Sequence, residues 1–138
     1  MKNNEEGGIR ALGIDPGLGT LGYGVVSQYG NALRCETYGV IKTPPDLSLA
    51  QRLAMLYFEL KKKAEEFPPD MVAVEKLFFG RNTTTAEMVW QARGVVLLLA
   101  AQLGKRMAQL RRLHFEPLNG GGKVAHVAGE LLGRRIRL

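Results

Sequence analysis

Cysteine is nearly absent from this chain. Cys35 is the only one in 138 residues, which excludes an internal disulfide and any zinc site built on cysteines. A reducing, cytoplasmic setting is the expectation that follows. Long hydrophobic runs are missing too. The longest, Val95 to Ala101, has seven residues, against the ~20 that a membrane-spanning helix needs. No membrane is therefore expected among the partners, and no apolar targeting core follows the polar opening MKNNEE. The third shortage is of acids late in the chain. From Met1 to Gly104 eleven Lys and Arg balance eleven Asp and Glu, whereas Lys105 to Leu138 hold eight bases against Glu116 and Glu130. The whole net charge of +6 lies in that last part. A one-sided positive region attracts a phosphate backbone, although a solvated basic tail would read the same way.

What is present fits one soluble globular domain over residues 1–138, with 46% hydrophobic and 23% charged residues. Its organising stretch is Ile9 to Val26, IRALGIDPGLGTLGYGVV. A short apolar run delivers Asp15 and stops at Pro16-Gly17, and Gly19, Gly22 and Gly24 keep the next run slim. Strand, tight turn, strand is the expected order, because Pro fixes φ and Gly supplies turn angles. A third strand, Leu33 to Lys42, closes at Thr43-Pro44-Pro45 and makes an antiparallel meander.

Asp46 or Ser48 can cap the next element. Leu49, Leu53, Leu56, Leu60, Ala64 and Phe67 recur at helical steps, with Lys61 to Lys63 and Glu65-Glu66 largely on the other face. Pro68-Pro69 ends that helix. Asp70 to Leu77, DMVAVEKL, reads as a short buried strand that again carries an acid at its end, Glu75. If the strands of Asp15 and Glu75 are neighbours, their carboxylates converge and favour a hard divalent cation such as Mg²⁺. Bland readings stand beside this one. Asp15 can bond the backbone of its own turn, and Glu75 can pair with Lys76 or a nearby Arg.

Phe78-Phe79-Gly80-Arg81 follows at once, as core or as a stacking platform for bases with Arg81 on a phosphate. Thr84-Thr85-Ala86-Glu87 has capping-box spacing and opens a helix running to about Leu103, stopped by Gly104. That helix is apolar on most of its surface. It is expected in the core, against a second subunit, or both.

GIDPGLGTLGYGVV and VAVEKLFFGRNTTTAEMVWQARGVVLLLAAQLG together resemble the RuvC family of Holliday junction resolvases. The resemblance implies an RNase H-like fold, an α/β arrangement with a mixed central sheet flanked by helices. It also implies a homodimer that cuts opposing strands of a four-way DNA junction, with branch-migration proteins of the same pathway as further partners. Mg²⁺ or Mn²⁺ held by carboxylates is the implied cofactor. Asp15 matches the family's first-strand acid and Glu75 its fourth-strand acid, as catalytic and metal-binding residues. Phe78 matches an aromatic that reaches the junction, and Arg81 stands beside it for DNA. The long apolar helix matches the one used between subunits.

Beyond Gly104 the chain departs from the pattern. His114 to Leu118 resembles a strand end, and Asn119 to Lys123 the Gly-rich turn, with Lys123 on the family's lysine. A final helix with a DAADAL-like run is not matched, so residues 105–138 read as a divergent basic part and the chain as a truncated or altered copy. Neither Glu116 nor Glu130 stands in the place of the missing pair, and His114 and His126 read as surface or DNA-facing residues. Two carboxylates hold one hydrated ion, whereas clamping two ions ~4 Å apart takes more acids. A junction endonuclease is the leading expectation, and a DNA-binding module impaired in catalysis is the alternative. A sugar-kinase/actin-like nucleotide binder, which opens with a similar turn, would need a second lobe that 138 residues cannot hold.

Overall fold

The computed structural model describes residues 8–16, 19–30, 32–75 and 83–110, the side chains of 83–86 and 106–110 excepted. In chain order these form β1 (Ile9–Asp15), β2 (Thr20–Tyr29), β3 (Ala32–Lys42), α1 (Leu49–Glu66), β4 (Met71–Glu75), α2 (Thr83–Gln102) and β5 (Arg106–Leu110). The five strands make a single sheet in the order β3-β2-β1-β4-β5. The first three strands pair antiparallel, as the short turns between them allow. At the β2–β3 hairpin Tyr29 pairs with Ala32, and Gly30 takes a φ of 58°, in the left-handed region a tight turn needs. β4 then joins β1 in parallel and β5 joins β4 in parallel, each after a helical crossover. The expected mixed sheet is therefore the one observed.

One face of the sheet carries the core. Leu12 and Ile14 of β1, Leu21, Tyr23 and Val25 of β2, and Val72 and Val74 of β4 pack with both helices. α1 contributes Leu56, Leu60 and Ala64, and α2 contributes Ala92, Val96, Leu99 and Ala100. Fully burying one such Leu or Val is worth roughly 1.5–3 kcal/mol.

The ends of α1 follow local chemistry. Ser48 Oγ accepts from the Gln51 N–H at 3.2 Å, and Gln51 Oε1 accepts from the Ser48 N–H at 3.0 Å. Ser48 is thus the cap, and Gln51 completes a capping box. Burial of the expected stripe begins one turn later than its spacing implied, because Leu49, the first helical residue, is exposed. The helix stops at Glu66 and not at Phe67. Phe67 takes φ −127°, ψ 79° as the C-cap, since a residue before proline is pushed out of the helical region.

α2 opens at Thr83, one residue ahead of the Thr84 expected as its cap. It closes with Gly104 at φ 64°, where the Gly104 N–H donates to Ala101 O and the Lys105 N–H to Ala100 O. This pair of bonds satisfies carbonyls that the helix end would otherwise leave open. Among the described residues no helix is long and apolar enough to cross a membrane.

β4 is described over Met71–Glu75, and Lys76 and Leu77 of the strand expected from Asp70 to Leu77 lie outside the described residues. Asp70 has another task. Its N–H donates to Arg10 O at 2.8 Å, and its Oδ2 accepts from the Arg10 N–H at 2.8 Å. The Arg10 side chain then donates to Ser27 Oγ at 3.2 Å and to Pro68 O at 3.4 Å. This clamp holds the starts of β1 and β4 level. Asp70→Ala removes the side-chain half of it and should cost about 1 kcal/mol. Urea denaturation should show a lower midpoint with an unchanged slope, and an unmoved midpoint would contradict the clamp.

Candidate functional site

The register carries the clamp's alignment to the other end of the sheet. Ala11 pairs with Met71, Leu12 with Val72, Gly13 with Ala73 and Ile14 with Val74. Asp15 and Glu75 each come one residue after the last of these pairs, so the two acids stand level on neighbouring strands. Neighbouring strands lie ~4.8 Å apart. Because side chains alternate, Ile14 and Val74 point into the core while both acids point to the opposite face. Both are half-buried. The two strands are neighbours, which is the condition the sequence reading set for the two carboxylates to converge.

On that face β2 offers no side chain beside Asp15. Gly22 lies directly across from Asp15 and Gly24 across from Gly13, so no Cβ stands on β2 beside the acid. Ala11 and Ala73 are fully buried there, and Tyr38 and Val40 on β3 stand exposed in the rows of Gly24 and Gly22. Glycine at such positions lets another group approach the backbone closely. Cys35 sits farther along β3. Desolvation of its sulfur, and secondarily the Glu36 carboxylate, push its thiol above the usual range. A thiol raised in this way is a poor nucleophile at neutral pH.

The turn that carries the chain from Asp15 into β2 is held from outside. Gly19 O accepts from the Thr43 N–H at 3.1 Å. Thr43 Oγ1 in turn accepts from Arg52 Nε at 2.9 Å, and Thr43 O from Arg52 Nη2 at 3.4 Å. Sequence reading missed Thr43 and Arg52. Their only signal is a lone arginine in the first turn of α1, which resembles any solvated helix charge. It also missed Arg93, buried in α2 with its guanidinium 5.8 Å from the Trp90 ring centre. A single base in an otherwise apolar helix was the available sign.

Phe78, Arg81 and Lys123 lie outside the described residues, as do His114, Glu116, His126 and Glu130. Among the described residues no group of three or more His, Cys, Asp or Glu side chains could hold a metal ion. Asp15 and Glu75 are a pair. A half-buried pair of carboxylates suits one hard, partly hydrated cation of the Mg²⁺ kind, which takes oxygen ligands and keeps several waters. It does not make a closed cage.

Comparison with known proteins places this geometry. The model of the family "Crossover junction endodeoxyribonuclease RuvC" matches residues 11–114. The chain belongs to the RuvC family. A RuvC from Thermomicrobium roseum is 52% identical over 94 residues, covering 68% of this chain and 57% of the relative. One from a Roseiflexus species is 50% identical over 131 residues, covering 94% of this chain and 78% of the relative. Thermus thermophilus RuvC, solved in complex with a Holliday junction substrate, superposes with a TM-score of 0.68 at 31% identity. That match covers 75% of this chain and 64% of the other. The yeast mitochondrial Holliday junction resolvase Ydc2 shares the fold, with a TM-score of 0.56 at 17% identity over 75% of this chain and 53% of its own. The sheet and its helices are thus those of RuvC and the RNase H-like resolvases. Against several of the relatives it matches, the chain spans little more than half their length.

Proposed function

We propose that this chain is a RuvC-type endonuclease that resolves four-way DNA junctions by metal-dependent phosphodiester hydrolysis. The observation that carries the reading is the level placement of Asp15 and Glu75 at the ends of neighbouring strands of a RuvC sheet. Residues 1–138 act as one RNase H-like domain, with the basic 105–138 part on the DNA. Asp15 and Glu75 hold Mg²⁺ or Mn²⁺ through their carboxylate oxygens. When bound, the ion supplies an activated water and neutralises charge developing on the phosphate. Strand alternation puts the two acids on one face of the sheet, and the glycines of β2 place no Cβ beside Asp15. Phe78 reaches the junction, as the family resemblance implies, and Arg81 and Lys123 contact the DNA beside it.

A labelled four-way junction tests this with the parent chain, Asp15→Asn and Glu75→Gln, in Mg²⁺ and in Mn²⁺. All three should retain the junction in preference to linear duplex, with affinity falling steeply as salt rises. Whatever cutting occurs should need both acids. Either substitution should slow nicking by at least about tenfold relative to the parent. No preference for the junction, or nicking unchanged by both substitutions, would overturn the reading.

The same reading makes the chain a homodimer, since two opposed strands require two sites. Support comes from α2, where Trp90 and Leu98 are 51% and 52% exposed and Gly94, midway between them, has nothing within 4 Å of an added Cβ. Residues four apart share one helix face, so this is an apolar stripe with a slot for close helix approach. Leu98→Arg should convert a sedimenting dimer to monomer. An unchanged species in that variant, or a monomeric parent, contradicts the dimer.

A further inference from the structure

We infer that Arg52 is a positioning residue for the Asp15 side of the acid pair. The inference rests on the reading that Asp15 helps hold a divalent cation, and it concerns what keeps that carboxylate in place. β1 ends at Asp15, and the chain must turn back before Thr20 opens β2. Asp15 is held on one side by its pairing with Gly22, and the chain that returns from it to β2 is the other constraint on its place. Here the returning limb is fixed at Gly19, whose carbonyl accepts from the Thr43 N–H. Thr43 follows β3 directly and is only 4% exposed, so its polar groups need protein partners. Arg52 supplies them at both oxygens, with Nε on the hydroxyl and Nη2 on the carbonyl. The same Nη2 lies against the turn, 3.5 Å from where a Cβ on Gly19 would stand.

The far end of this linkage is rigid. Arg52 sits in the first turn of α1, its N–H donates to Ser48 O at 2.9 Å, and the Ser48–Gln51 capping box closes that turn. A path of direct contacts therefore runs from the start of α1 through Arg52, Thr43 and Gly19 to the turn after Asp15. Arginine suits the task because its planar fork offers donors in fixed directions, and lysine can serve one oxygen but not both in that geometry. α1 does not need this side chain to fold. Its cap is complete without it, and Leu56, Leu60 and Ala64 anchor it in the core. What the guanidinium adds is an anchor on Thr43 and, through it, on Gly19.

The test compares the parent with Arg52→Met, Arg52→Lys and Asp15→Asn in two measurements on the folded chain. One is hydrogen exchange at the Thr43 amide, and the other is Mn²⁺ affinity by electron paramagnetic resonance. Arg52→Met should expose the Thr43 amide to exchange and weaken Mn²⁺ binding by about tenfold, as loss of a ligand's outer partner commonly does. Arg52→Lys should recover part of both, and it carries the test alone if Arg52→Met does not fold. A purely structural role would lower the unfolding midpoint and leave the Mn²⁺ affinity of the folded protein unchanged. Unaltered Thr43 exchange, or loosened exchange with parental Mn²⁺ affinity, would overturn the inference while leaving the metal reading intact. A parent that binds no Mn²⁺, or binds it as well after Asp15→Asn, would remove the metal reading itself, and this inference with it.

Discussion

Parallel pairing between β1 and β4 is the contact that the candidate site depends on most. It begins at the reciprocal Arg10–Asp70 bonds and ends with Asp15 beside Glu75. Five residues on each strand separate the two ends, about 16 Å of extended chain. A slip of one residue would turn Glu75 into the core and Val74 out of it. Both errors are costly, because a carboxylate would lose water and an apolar side chain would gain it. Core packing and acid placement are therefore enforced by the same register.

The sheet divides its labour between its faces. Leu12, Ile14, Val72 and Val74 take one face, where α1 and α2 cover them and most of the stabilising burial occurs. The other face carries Asp15, Glu75 and a floor of Gly13, Gly22 and Gly24, with Ala11, Val26 and Ala73 buried on it as well. A bulky residue at Gly22 would stand directly beside Asp15. Arg10 and Arg52 hold the arrangement from opposite ends. One sets the start of β1, and the other braces the turn just past its end.

Much of this was legible in the residues because the punctuation is strong. Pro16-Gly17, Pro44-Pro45 and Pro68-Pro69 bracket the elements, and the three- and four-residue steps of α1 name its buried stripe. The two acids were visible as charges at the ends of apolar strands, and the family resemblance gave them a shared purpose. Register was not legible, because it depends on pairing between segments sixty positions apart, such as Arg10 with Asp70. Nor was β5, whose sequence RMAQL has no firm alternation and becomes a strand by pairing with β4. Arg52 was invisible for a similar reason. Its meaning lies in Thr43 and Gly19, which reach it only through the fold.

The most direct measurement is Mn²⁺-induced line broadening of backbone amide signals in the folded chain, since a bound paramagnetic ion marks its own position. Broadening should be greatest at Asp15, Glu75 and Gly22, the residue across from Asp15. It should be weak at Arg10 and Asp70, and it should be lost in Asp15→Asn and in Glu75→Gln. Broadening centred on the α1 acids Glu59, Glu65 and Glu66, or unchanged by either substitution, would contradict a shared cation between the ends of β1 and β4.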